Sequence, residues 1–236
     1  MLTLLFMRNG IHNSSIAPRI YLWWNIKLCK IFKAHINIHG LRNNDNKATL
    51  YVMNHISWFD IPVLASQQPL HFLSKAEVRS WPFIGWFANR AGTLFIQRGV
   101  SGAASKSLSE ITHCLQHGGS VALFPEGTTT DGSSIRKFHG RLLQAAIDAK
   151  IEIQPVALRY PYKNGINPYV PYVGEMSFMD SLFGLTQSKP LNIELHFLPP
   201  IVQHLEHPDA VSRKQLALLA HNAIAEKLDL GLFKKE

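Results

Sequence analysis

The stretch Ala48-Thr49-Leu50-Tyr51-Val52-Met53-Asn54-His55-Ile56-Ser57-Trp58-Phe59-Asp60 joins a short apolar run to a polar tip. Its first six residues predict a strand over 48–53. An apolar strand ending in Asn-His sets an imidazole at a strand tip, a common place for chemistry in α/β folds. Asp60 stands five residues further on, and positions five apart on an ideal helix point about 140° away from each other. His55 and Asp60 therefore meet only if His55 precedes a helix and Asp60 folds back from its first turn. There the carboxylate holds one ring N–H and leaves the other nitrogen as a base. A structural reading stands beside this one. Ser57-x-x-Asp60 has the form of a capping box, with Pro62 in the first turn of the helix and His55 a mere turn residue.

Outward from this stretch, further short apolar runs predict strands over 71–74, 93–96, 120–124, 154–159 and 193–198. Helical spacing predicts helices over 101–117, where Leu108, Ile111 and Leu115 share a face before Gly118, over 141–149, and over 211–228. Strands alternating with helices predict an α/β fold, a single layered domain with a mostly parallel sheet flanked by helices. The segment 160–189, rich in Pro, Gly, Tyr and Asn, is expected to be a long irregular excursion.

Three more blocks carry polar chemistry. Gly92-Thr93-Leu94-Phe95-Ile96-Gln97-Arg98 ends a strand on an arginine whose planar fork suits a phosphate monoester, although a surface arginine reads the same way. In Phe124-Pro125-Glu126-Gly127-Thr128-Thr129-Thr130, Gly127 permits a turn that lets backbone N–H groups face an anion, and the threonines add donors. Glu126 would repel an anion unless it binds a hydroxyl or positions a cation such as Arg98; a tight hairpin or helix-entry turn is the plainer account of the block. Gln154-Pro155-Val156-Ala157-Leu158 places a proline in a strand, which points to a strand end, edge or bulge.

Together, in this order, the four blocks resemble those of the 1-acylglycerol-3-phosphate acyltransferases within the glycerolipid acyltransferase superfamily. NHISWFD at 54–60, GTLFIQR at 92–98, FPEGTTT at 124–130 and QPVAL at 154–158 match the family pattern, and the resemblance covers about residues 37–200. It implies acyl transfer from acyl-CoA or acyl-carrier protein to the free hydroxyl of a lysolipid. His55 would be the base and Asp60 its orienting partner, with Arg98, Glu126, Gly127 and Thr128 holding the acceptor. No cofactor or metal is implied. The leading acceptor is 1-acylglycerol-3-phosphate, giving phosphatidic acid. FPEGTTTDG and the VALRY continuation also look like bacterial members that acylate lyso-ornithine lipid. A non-catalytic membrane-binding scaffold is the alternative of another class. Gln154 departs from the apolar residue usual before the proline, and the family commonly has a more hydrophobic N-terminus.

Charge distribution points to a lipid partner. Residues 1–50 hold seven basic side chains against Asp45 alone, six of the eight excess positive charges, beside Tyr21, Trp23, Trp24 and Phe32. Such mixtures suit an anionic lipid–water boundary, and no base-reading module argues for nucleic acid. No run reaches the roughly 18–20 apolar residues needed to span a bilayer, and the start lacks a signal-peptide layout. The expectation is an amphipathic membrane-associating helical segment over 1–36 and an acyltransferase domain over 37–236, lying peripherally or monotopically on the cytoplasmic face of the cell membrane. Lone Cys29 and Cys114 suit a reducing compartment. The segment 81–91, Trp-Pro-Phe-Ile-Gly-Trp-Phe-Ala-Asn-Arg-Ala, has the composition of an acyl groove, a membrane contact or ordinary core.

Overall fold

The computed structural model describes residues 17–43, 47–80, 85, 88–89, 92–97, 102–163, 165–188, 190–201 and 211–230. Arg98 and most of 81–91 lie outside them. Nine strands are described: β1 Ala34–His39, β2 Leu50–Met53, β3 His71–Lys75, β4 Leu94–Ile96, β5 Val121–Leu123, β6 Ile153–Arg159, β7 Pro161–Tyr162, β8 Gly165–Ile166 and β9 Leu191–Phe197. The helices are α1 Ala17–Ile31, α2 Asp60–Ala65, α3 Ala103–Gln116, α4 Gln144–Ala149, α5 Phe178–Gln187 and α6 Arg213–Lys227. Seven strands form one sheet in the order β1-β9-β6-β2-β5-β3-β4, and β7 and β8 make a small hairpin. Within the large sheet only β6 and β9 pair antiparallel. The α/β reading and all six expected strands are therefore present.

Strand alternation explains the layers. Leu50 and Val52 face one side of the sheet, with Ile153 and Ala157 of β6, and pack on Ile111 and Leu115 of α3 and Leu216, Ala220 and Ile224 of α6. Tyr51 and Met53 face the other, with Val156 and Leu158, and meet Tyr21 and Cys29 of α1, Phe32 just after it, Val63 and Leu64 of α2 and Leu185 of α5. Both faces of the central strands are apolar, as buried parallel strands require. The helix expected over 211–228 begins in a reciprocal capping box between Ser212 and Gln215. The one expected over 141–149 divides into a 3₁₀ turn, Gly140–Leu143, and α4.

Three local expectations change. The excursion over 160–189 is not irregular throughout, since it holds the β7–β8 hairpin and α5, which starts in a second capping box, Ser177 with Asp180. Pro155 sits inside β6, an internal strand, not at an edge. It lies at the margin of the β6–β9 ladder, which runs from Val156↔Phe197 to Arg159↔Glu194. Gln154 is fully buried; it accepts from the Asn43 N–H and donates to the carbonyls of Leu41 and Leu198, clamping the 41–43 segment to the end of β9. β1, unforeseen, pairs parallel with β9 along the sheet edge and runs across the expected division at residue 36.

The turn after β1 constrains a single residue. Gly40 has φ +78°, and a Cβ there would stand 2.0 Å from the Phe197 carbonyl oxygen. Gly40→Ala should lower the urea-unfolding free energy by more than about 1 kcal/mol. Gly165→Ala, which meets nothing within 4 Å, should stay within about 0.5 kcal/mol. Equal effects would contradict this placement of β1.

Candidate active site

The tip of β2 is fastened before its chemistry begins. The carboxamide of buried Asn54 donates to the Leu158 carbonyl at 2.9 Å and accepts from the Leu158 N–H at 2.9 Å. The side chain thus continues the β2–β6 ladder one step past the strand. His55 follows, held at four points. Its N–H donates to Glu126 Oε1 at 2.7 Å, and its carbonyl accepts from the Thr130 N–H at 2.8 Å. Its ring stacks on Phe124 with centroids 3.9 Å apart. Its Nδ1 lies 2.8 Å from Asp60 Oδ2.

Asp60 opens α2 and turns back as the spacing of five required. Its Oδ2 also accepts from the N–H groups of Ile56 and Ser57 at 2.7 and 2.9 Å. Oδ1 accepts from the Tyr160 hydroxyl at 2.6 Å. Four donors on one fully buried carboxylate make an environment suited to negative charge. A carboxylate accepts only, so in this contact an ionised Asp60 pairs with a proton carried on Nδ1. Nε2 has no hydrogen bond among the described residues, and the His55 side chain is 17% exposed while Asp60 is covered. Burial, and then Asp60 itself, push Tyr160 well above the usual phenol range, so it stays a donor.

Glu126, expected to hold an acceptor group or a cation, spends both oxygens on backbone, accepting from His55 and from the Arg136 N–H at 2.8 Å. Burial raises its carboxyl above the ordinary range, against these two hydrogen bonds. Gly127 adopts φ +72° and its N–H donates to Phe124, which makes the turn. Thr128 is exposed at the rim. The hydroxyls of Thr129 and Thr130 reach the carbonyls of Tyr172 and His55. The loop braces His55 from the side. Arg98 lies outside the described residues.

Several contributors escaped the sequence reading. Asn54 and Phe124 stand inside quoted blocks, but amide bridging and ring stacking have no spacing signature. Tyr160 ends a strand distant in sequence, and only the β2–β6 register brings it under Asp60. Burial pushes the thiols of Cys29 and Cys114 up to about 11, which leaves them poor nucleophiles. Among the described residues, His39, Glu194 and His196 group metal-binding side chains, but on β1 and β9, three and two strands from β2. Arg159 already occupies Glu194 at 2.6 Å, and the two imidazoles stack face to face.

Comparison with known proteins finds relatives in sequence and in fold. Residues 35–159 match the family model described as Acyltransferase. A lyso-ornithine lipid O-acyltransferase of Pseudomonas aeruginosa is 36% identical over 221 residues, 92% of this chain and 83% of the relative. A 1-acyl-sn-glycerol-3-phosphate acyltransferase of Neisseria gonorrhoeae is 33% identical, over 63% of this chain and 58% of its own length. In structure the chain is similar to the 1-acyl-sn-glycerophosphate acyltransferase PlsC of Thermotoga maritima, with TM-score 0.69 and 18% identity, covering 97% of this chain and 86% of that one.

The hydrogen-bond scheme makes a spectroscopic prediction. Nitrogen-15 spectra near neutral pH should show the His55 ring as the Nδ1–H tautomer. Tyr160→Phe should keep that tautomer at a cost of about 1–3 kcal/mol in stability. Asp60→Asn should redistribute the proton, since an amide can donate to Nδ1. A dominant Nε2–H form in the unaltered protein would contradict the arrangement.

Proposed function

The chain belongs to the acyltransferase family, and from that premise we propose that it moves a fatty acyl group from a thioester to the free hydroxyl of a lysolipid, with His55 as general base. The observation that supports the reading is the His55–Asp60 pair, with Nδ1 at 2.8 Å from Oδ2 and Nε2 left free. The lysolipid hydroxyl gives its proton to Nε2 while its oxygen attacks the thioester carbonyl. The C–S bond then breaks, and the imidazolium returns the proton to the departing thiolate. Asp60 holds the ring and offsets the transient positive charge. A positioned base supplies about 10²–10⁴-fold, roughly 3–5 kcal/mol of barrier. Glu126 serves in this scheme as the brace of the His55 backbone, and Gly127 with Thr128 lines the acceptor side.

The acceptor we favour is lyso-ornithine lipid. The relative carrying that name matches 92% of the chain, against 63% for the N. gonorrhoeae relative named for 1-acylglycerol-3-phosphate. This reverses the order read from the sequence blocks, where Arg98 suggested a phosphate. A guanidinium fork suits the carboxylate of ornithine as well as a phosphate, so Arg98 fits either headgroup. The donor is acyl-CoA or acyl-carrier protein.

We place the enzyme on the cytoplasmic surface of a membrane through α1. Among the described residues no helix is long and apolar enough to cross a membrane. One face of α1 buries Tyr21, Asn25 and Cys29, with the Tyr21 hydroxyl on the Leu70 carbonyl at 3.0 Å. The other exposes Trp23, Trp24, Lys27 and Lys30, and cations beside interfacial aromatics bind anionic lipid.

Two assays test this function. With purified protein, thiol release from acyl-CoA or acyl-carrier protein should depend on an added lysolipid, with kcat/KM higher for lyso-ornithine lipid than for 1-acylglycerol-3-phosphate. The opposite ranking would restore the phosphate acceptor. His55→Ala should stay folded at a cost of about 1–3 kcal/mol, because Asp60 loses one of its four donors, and lose about 10²–10⁴-fold in kcat; substantial turnover would end the base assignment.

A further inference from the structure

Large apolar side chains exposed on the described residues concentrate in two segments. Of thirteen, four belong to α1 (Trp23, Trp24, Ile26, Ile31) and six to 166–183 (Ile166, Tyr169, Val173, Met176, Met179, Phe183). Contiguous exposed apolar surface of this kind marks an interaction site. α5 shows why the second group is a surface and not loose core. Its inward side carries Ser181 and Leu185, both buried, and its outward side carries Met179 and Phe183, four residues apart and 52% and 62% exposed. Met176, two residues before α5, is 38% exposed.

The two segments meet at the candidate site. The Trp58 ring lies 6.1 Å from Phe32, just after α1, and 5.1 Å from Phe178, the first residue of α5. Its indole N–H donates to Ser181 at 3.1 Å. The Tyr172 N–H donates to the Ile56 carbonyl at 3.0 Å, which ties 166–183 to the His55–Asp60 turn.

We propose that the outer face of 166–183, centred on Met176, Met179 and Phe183, is a second bilayer-contacting surface, tied to the α1 segment through the Trp58 contacts with Phe32 and Phe178. This rests on the lysolipid reading above. Charge selects a bilayer as the occupant. The adjoining α1 face offers lysines and paired tryptophans to anionic headgroups, whereas the described part of 165–188 carries only two charges, Glu175 and Asp180. Asp180 is held in its capping box by Ser177. The second surface therefore enters by apolar burial alone. The two contacts flank the His55 turn, so the lipid acceptor reaches the base from within the layer that both segments touch.

The experiment is co-sedimentation with phosphatidylcholine vesicles containing a minority of phosphatidylglycerol, at low salt and at 1 M salt, where the Debye length is about 3 Å. The wild type should keep a salt-resistant fraction of binding. The triple variant Met176→Ser, Met179→Ser, Phe183→Ser should lose at least roughly ten-fold of that fraction, with an unchanged melting temperature. Replacing Lys27 and Lys30 with Gln should instead remove binding that is already absent at 1 M salt. As an independent arm, Phe183→Trp should be quenched by lipids brominated along their acyl chains, and this variant remains informative if the triple variant misfolds. Wild-type-like binding by a folded triple variant at high salt, or an unquenched Trp at 183, would overturn the proposal. Vesicle binding is read without turnover, so an absence of acyl transfer would refute the lysolipid reading and leave these outcomes distinct.

Discussion

A buried carboxylate cannot stand alone in a protein interior, and Asp60 is the place where this fold meets that constraint. Removing the partners of a buried charge costs several kcal/mol, while each hydrogen bond to a charged group returns about 1.5–3 kcal/mol. Asp60 gathers four, from the His55 ring, the Ile56 and Ser57 amides and the Tyr160 hydroxyl. Two of these donors come from its own turn, which fixes the entry into α2. The third, His55, is the residue exposed to substrate. The fourth arrives from the end of β6, so the carboxylate is complete only when β2 and β6 pair in register.

The same parallel core supplies the second brace. β5 lies on the other side of β2, and the loop that follows it brings Phe124 against the imidazole and Glu126 onto the His55 amide. Two carboxylates thus grip one histidine, Asp60 through the ring and Glu126 through the backbone. The family resemblance put Glu126 among the residues that hold the acceptor, while the residues alone left a hydroxyl, a cation or a plain turn open. The geometry supplies another explanation: two amides outside the strands, His55 after β2 and Arg136 after β5, need an acceptor, and Glu126 provides one oxygen to each.

What was legible beforehand followed from strong local signals. Apolar runs bounded by polar residues marked six strands of the sheet, and the spacing of five between His55 and Asp60 demanded the fold-back that the structure has. What was hidden depended on tertiary pairing. β1, Ala34-His-Ile-Asn-Ile-His39, has two isoleucines in a histidine-rich setting and is a strand because β9 offers it a ladder. α5 is short and announced chiefly by Ser177-x-x-Asp180, a capping signal inside a proline- and glycine-rich stretch. Gln154 looked only like a departure from the usual apolar residue, because burial of a polar side chain cannot be seen locally; three backbone partners explain it. α1 adds to the membrane-associating expectation a face that packs on the domain, opposite the one that carries the tryptophans and lysines.

The central claim is direct transfer: the lysolipid hydroxyl, activated by His55, attacks the thioester without an acyl group ever resting on the protein. Both cysteines are held as thiols by burial, and Ser57 is buried, with its hydroxyl oxygen accepting from the Phe59 N–H. The most direct test mixes enzyme with radiolabelled acyl thioester in a rapid-quench experiment, with and without lysolipid. The account predicts no acid-stable acyl-protein in either case and thiol release only when lysolipid is present. A stoichiometric acyl-enzyme, or a burst of thiol without acceptor, would contradict it.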